Sequence, residues 1–188
     1  MPLLIGLGVL VVIALIIIVL YNRLVAIRNQ VGNAWKQIDV QLKRRHDLIP
    51  NLVEVVKDYM SYEQETLRQV IEARNQAVKA PTPAAAMQAE NALSGAMGRL
   101  FAVMEAYPDL KANQNVGRLM EELTGTENKI SFARQFYNDS VMSLNNMVQS
   151  FPSNLIAGMF GITSRNFFEL SDPQEREAPK VSFETPKS

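Results

Sequence analysis

From Leu3 to Leu20 the chain reads LLIGLGVLVVIALIIIVL, with no charged or strongly polar side chain on any face. Only Gly6, Gly8 and Ala14 interrupt the large aliphatics. At about 1.5 Å per residue such a helix is roughly 27–30 Å long, the thickness of a bilayer core. A helix on the surface of a soluble domain keeps a polar face, and this one has none. Residues 1–22 are therefore read as a transmembrane anchor. A cleaved signal peptide would carry a basic start, a shorter apolar stretch and small residues at the cut. Met1-Pro2 has no basic side chain, and Tyr21-Asn22-Arg23-Leu24 offers no such cut.

Beyond the anchor the apolar positions fall three and four apart, the spacing of one helical stripe. Leu24, Ile27, Val31, Ala34/Trp35, Ile38 and Leu42 draw the first, over 23–46. His46 to Pro50 reads as a turn, with Asp47 as cap and Pro50 in the next first turn. A second helix is expected over 48–79, ended by Ala80-Pro81-Thr82-Pro83. A third, over 84–107, carries Met87, Leu93, Met97, Leu100, Phe101, Met104 and Tyr107. A fourth, over 114–150, starts at Asn113 or Asn115 and carries Leu119, Leu123, Ile130, Ala133, Tyr137, Val141, Leu144 and Val148. Gly125 marks a kink or short break in it.

Long helices with short links pack most simply as an antiparallel up-down four-helix bundle. The fold class is all-α: an N-terminal transmembrane helix followed by that bundle. Up-down geometry returns Phe151 to the bilayer. The apolar segment over 151–170 is too short and broken to span. It is read either as a lid on the bundle end or as a surface for lipid or a neighbouring subunit. Residues 171–188, with Pro173, Pro179 and Pro186 among charges, read as a disordered tail.

Charge refines this picture. Lys+Arg and Asp+Glu are both 19, so no basic excess points to nucleic acid. After the anchor come Arg23, Arg28, Lys36, Lys43, Arg44 and Arg45 against one acid, Asp39. The positive-inside rule then puts the N-terminus outside and the body in the cytoplasm. The absence of cysteine fits a reducing compartment and excludes an N-terminal lipidated Cys.

Several polar runs are longer than helix packing requires. Ala34-Trp35-Lys36-Gln37-Ile38-Asp39 leads into Arg44-Arg45-His46-Asp47-Leu48-Ile49-Pro50-Asn51-Leu52-Val53. Later come Glu105-Ala106-Tyr107-Pro108-Asp109-Leu110, Thr126-Glu127-Asn128-Lys129-Ile130 and Ala133-Arg134-Gln135-Phe136-Tyr137-Asn138-Asp139. Together with the anchor and Phe151-Pro152, this set resembles the LemA family of bacterial membrane proteins. The resemblance implies a helical bundle behind a single span, and brings no established activity.

No catalytic, cofactor or metal site is visible, and the chain is read as non-enzymatic. The only histidine, His46, stands with Asp47 like a sensor-kinase phosphoacceptor, but Pro50 is one position early and no nucleotide-binding boxes follow. One histidine leaves no base for nucleophilic catalysis. Glu121, Glu122 and Glu127 read as a solvated face. The candidate interaction residues are Trp35, Arg44, Arg45, Phe160, Phe167 and Phe168. Trp35 is either core or a subunit anchor. Lys43-Arg44-Arg45 is either a solvated helix end or a site for an acidic or phosphate-bearing partner. Asp39 can pair with Lys43 at i,i+4. Asn51, Asn128, Arg134 and Asn138 lie on or beside apolar stripes, either fixing register inside one bundle or facing another copy. The expected partners are the bilayer, further copies in a homo-oligomer, and another membrane protein. The function class is a membrane-bound scaffold or interaction module. The alternative is an adaptor or signalling component of a membrane complex.

Overall fold

The computed structural model describes residues 1–168, which hold six helices and no strand. The expected tail over 171–188, and residues 169 and 170 of the apolar segment, lie outside the described residues. Helix α1 (Pro2–Val56) is 55 residues long. Its N-terminal third stands clear of the rest, and an eighteen-residue apolar window there has none of its residues buried. Burial begins at Leu24 and continues through Val31, Ala34, Ile38, Leu42, Ile49, Leu52 and Val56. The apolar run and the first packed helix are thus one rod.

That rod corrects the expected turn at His46–Pro50. Ile49, Leu52 and Val56 prolong the buried stripe of α1 without a change of phase, so burial favours continuing the helix. The price of continuing is local. Pro50 has no N–H to offer the carbonyl of His46, four residues before it. Arg74 supplies the donor instead, its Nε bonding that carbonyl at 3.1 Å. The chain reverses later, over 57–63, where Met60 is fully buried. Helix α2 (Gln64–Val78) is correspondingly shorter than the 48–79 expected.

A proline inside a helix costs about 3 kcal/mol, of which the Arg74 bond recovers only part. Pro50→Ala should therefore stabilise the full chain in detergent by about 1–2 kcal/mol, seen as a raised unfolding midpoint. If residues 46–50 formed a turn, the same change would be neutral or destabilising.

Helix α3 (Pro83–Met104) starts at Thr82, whose Oγ1 accepts from the Ala85 N–H at 3.2 Å. A short α4 (Pro108–Ala112) precedes α5 (Gln114–Gln149). Asn113 caps α5, accepting from Asn115 N at 2.9 Å and Val116 N at 3.4 Å. Gly125 sits in α5 without interrupting it. Helix α6 (Ser153–Met159) follows after three residues. Helices α1 and α5 run in opposite senses, since Gln30 meets Ser140 while Arg45 meets Glu127 farther along.

The buried apolar residues form two clusters. One joins Leu24, Val31, Ile38 and Leu42 of α1 to Ile130, Tyr137, Val141 and Leu144 of α5, with Ile156, Ile162 and Phe168. The other joins Ile49, Leu52 and Val56 to Val70, Leu93, Met97, Leu100 and Leu123. Arg45 and His46 fall in sequence between the two α1 stretches.

Candidate functional site

A buried polar layer separates the two clusters. Arg45 keeps 1% side-chain exposure, and so does Glu90 of α3, with their Nη1 and Oε2 atoms 3.2 Å apart. Arg45 Nη2 donates to Ser94 Oγ at 3.0 Å. Its Nε lies 2.8 Å from Glu127 Oε1, an ion contact without hydrogen-bond alignment, at the half-exposed side of the layer. His46 Nε2–H donates to the second Glu90 oxygen at 2.5 Å. The Glu90 carboxylate therefore receives donors from two successive residues of α1. The layer thus ties α1 to α3 inside the packing, where a buried charge needs a paired and hydrogen-bonded partner.

The second construction holds the end of the described chain. After α6, residues 162–168 run back along α5 as an extended strap. Asn145 Nδ2 donates to Arg165 O at 2.9 Å and Asn145 Oδ1 accepts from Arg165 N at 2.8 Å. Asn138 does the same with Phe168, at 3.1 and 2.8 Å. The spacing is set by geometry. Two turns of α5, from 138 to 145, rise about 10.5 Å, and three extended residues cover about 10 Å. The Tyr137 hydroxyl donates to Asn166 O at 3.1 Å. Burial pushes the Tyr137 phenol above its ordinary value, against a smaller opposing effect of Arg165. This contribution is whole at neutral pH and is lost as pH rises beyond the ordinary phenol range, where the donated proton leaves. Phe168 packs at 6.3 Å from Trp35, which meets Tyr137 edge-on at 5.7 Å. The Arg134 guanidinium lies 4.2 Å from the Phe168 ring centre.

The third feature is an outward face shared by α1 and α5. Phe132 is 72% and Val40 63% exposed, and Phe136 is also exposed. With Lys36, Gln37, Gln41, Lys129 and Ala133 they line a shallow groove of about 610 Å³. Gln41 Oε1 is buried there with no hydrogen-bond partner among the described residues. Phe132 and Phe136 are one helical turn apart, so both rings leave α5 on the same side.

These findings redistribute the residues expected from sequence. Arg45 is corrected from an interaction residue to a buried ion-pair member, because α1 does not end beside it and α3 covers it. Arg44 stays at the surface, 3.5 Å from Glu122. Trp35 and Phe168 pack on each other inside the chain, which removes Phe168 as an exposed contact. Phe160 and Phe167 remain exposed, Phe160 with its ring 4.4 Å from that of Tyr21. Arg134 and Asn138 make contacts within the chain. Asn51 and Asn128 are exposed. Asp39 and Lys43 are exposed too and form no ion pair among the described residues, as water screens so exposed a pair.

Sequence reasoning missed Glu90, Asn145, Arg74 and the Phe132–Phe136 face. A signal existed for Glu90. The α3 stripe leaps from Met87 to Leu93, and the position a helical stripe requires between them is Glu90. Phe132 and Phe136 stood off the buried α5 stripe, where aromatic residues need another neighbour.

Comparison with known proteins places the chain among bacterial relatives. The model of a family described as the LemA family matches residues 34–183, leaving the apolar run outside the match. Magnetosome protein MamQ 2 of Paramagnetospirillum magneticum is 24% identical over 193 residues, covering 89% of this chain and 69% of its own length. Protein LemA of Metamycoplasma hominis is 25% identical over 155 residues, covering 80% and 69%. Magnetosome protein MamQ of Magnetospirillum gryphiswaldense is 23% identical over 174 residues, covering 79% and 64%. An apolar N-terminal helix and this kinship mark a membrane-associated helical protein.

Proposed function

We propose that this chain, which belongs to the LemA family, is a non-enzymatic scaffold that binds copies of itself side by side on a membrane. In this reading α1 crosses the bilayer with its N-terminus outside, and α1, α2, α3 and α5 stand on the cytoplasmic side as an antiparallel bundle. The basic side chains after the apolar run support that orientation, and the bacterial relatives support the inner membrane. Self-association serves whatever assembly is built at that surface. A heterologous membrane partner stays a second occupant of the same faces.

The observation that carries the proposal is the exposed Phe132, Phe136 and Val40 face. Val40 lies about 28 Å along α1 beyond Tyr21, too far for the bilayer to cover it. Apolar side chains exposed together in water mark a contact surface. Copies anchored in one bilayer share height and orientation, so the same face of each meets its equivalent around an axis normal to the membrane. Confinement to two dimensions raises the effective concentration and makes a modest contact productive. Gln41 Oε1 waits there for a donor, and a neighbouring copy brings Gln37 and Gln41 amides to the same groove.

The chain has no native cysteine, so single cysteines report without background. Val40→Cys is expected to give disulfide-linked dimers on mild oxidation in membranes, while Gln64→Cys at the far end gives few. Adding Phe132→Ser and Phe136→Ser should abolish the Val40→Cys dimer and shift chain stability by less than about 1 kcal/mol. Equal cross-linking at positions 40 and 64, or a dimer that survives both serines, would contradict the proposal.

A further inference from the structure

Beyond Ser153 and Asn154 at its start, helix α6 is apolar on both faces. Ile156 and Ala157 face inward and are buried with the first cluster. Leu155 and Met159, one turn apart, lie on the outside at 59% and 74% exposure, and Phe151, two residues before the helix, is 80% exposed. Nothing among the described residues covers that stripe. Its height is fixed by what α6 touches. The Phe160 ring lies 4.4 Å from that of Tyr21, and Ile17, Leu20 and Tyr21 of α1 pack against the cluster containing Ile156 and Ala157. Ile17 and Leu20 are the last turn of the apolar run. Helix α6 is therefore level with the final 5 Å or so of the stretch that matches a bilayer core.

Charge agrees with that placement. From Ser140 to Phe168 there is no acidic side chain, and Arg165 is the only formal charge. From Tyr21 to Ile38 on α1 there is again no acid, while Arg23, Arg28 and Lys36 are present. Both chain stretches nearest this level thus lack the charge that anionic headgroups repel. Tyr21 is of the type that settles where acyl chains meet headgroups.

We infer that α6 is a second membrane contact: it lies in the headgroup–acyl boundary with Phe151, Leu155 and Met159 in lipid. This inference rests on the reading that α1 crosses the bilayer. The occupant is lipid rather than a second copy, because the stripe continues the lipid-facing surface of α1 at the same height. The consequence is mechanical. A single span can tilt and rotate, whereas a span braced by α6 holds the packed helices at one angle to the membrane, as a lattice of side-by-side copies requires.

The test uses the full chain, free of native cysteine, with a fluorescent NBD label at single cysteines, in vesicles of phosphatidylcholine and phosphatidylglycerol. Labels go on Phe151→Cys, Leu155→Cys and Met159→Cys, with Val11→Cys in the apolar run and Gln64→Cys as references. Spin-labelled lipids quench at shallow or deep acyl positions, and aqueous iodide quenches from water. The shallow quencher should halve the signal at 151, 155 and 159 and outdo the deep one, as a face sunk about 5–10 Å requires. The deep quencher should act most on position 11, and iodide alone on position 64. Labels at 155 and 159 that answer iodide and not lipid would overturn the inference by putting the stripe in water. Labels that answer neither would overturn it in favour of a second copy. A label at 11 that no lipid quenches would overturn the anchor reading itself, and α6 with it.

Discussion

Replacing Glu90 by alanine is expected to destabilise the full chain by about 3–5 kcal/mol, measured by chemical unfolding in detergent. The cause is what remains behind. Arg45 and Glu90 each keep 1% side-chain exposure, so the variant leaves a guanidinium in the interior without its main counter-charge. Ser94 still accepts from Arg45, and Glu127 still offers an oxygen from the solvent side, which sets the lower end of the range. His46 also loses its acceptor. Glu90→Gln should fall between the wild type and alanine, since the amide retains an acceptor oxygen but not the charge. The informative companion is Arg45→Met with Glu90→Met. Removing both charges together should recover most of the loss or exceed the wild type, because the layer lies between two apolar clusters. A Glu90→Ala variant within 1 kcal/mol of wild type, by about the size of a surface change, would show that the pair is not buried in solution.

Phe168→Ala should cost about 3–5 kcal/mol in the same assay, a core-like loss from a residue outside every helix. Phe168 is buried between Trp35 and Arg134, and its backbone N–H and C=O are both held by Asn138. Truncating the ring removes the strap's apolar anchor, and the Asn138 bonds then hold a segment with little burial to retain it. Trp35 is the only tryptophan, so its fluorescence reports this site alone. Its emission should move to longer wavelength in Phe168→Ala and stay in place in Arg45→Met with Glu90→Met. Asn138→Ala should produce the same spectral change with a smaller loss of about 1–3 kcal/mol, from unpaired backbone groups. An unchanged Trp35 emission in Phe168→Ala would contradict the strap.

Much of the helical content was legible because stripes at steps of three and four are a local signal. The fourth expected helix, over 114–150, is α5 almost to the residue, with Asn113 as its cap. The turn at Pro50 was misread because proline is local evidence, while the donor that lets α1 pass through it is Arg74, in a different helix. That error moved Lys43-Arg44-Arg45 to a false helix end and made Arg45 look solvated. Glu90 was hidden by its charge: composition says surface, and only the gap in the α3 stripe says interior. The Asn138–Asn145 ladder needs both the heptad spacing on α5 and a partner segment twenty or more residues on, which no local pattern supplies. The apolar run over 3–20 was legible as continuous helix, since no proline or polar residue interrupts it, and it stands unburied at the start of α1.

The central claim is that the protein works as an assembly of its own copies. The most direct measurement is the mass of the full-length protein in mild detergent by multi-angle light scattering, compared with the 21.1 kDa of one chain. The account predicts a defined species of several copies that falls to a single chain on combining Phe132→Ser with Phe136→Ser. A wild-type protein that runs as a single chain at every concentration would contradict it.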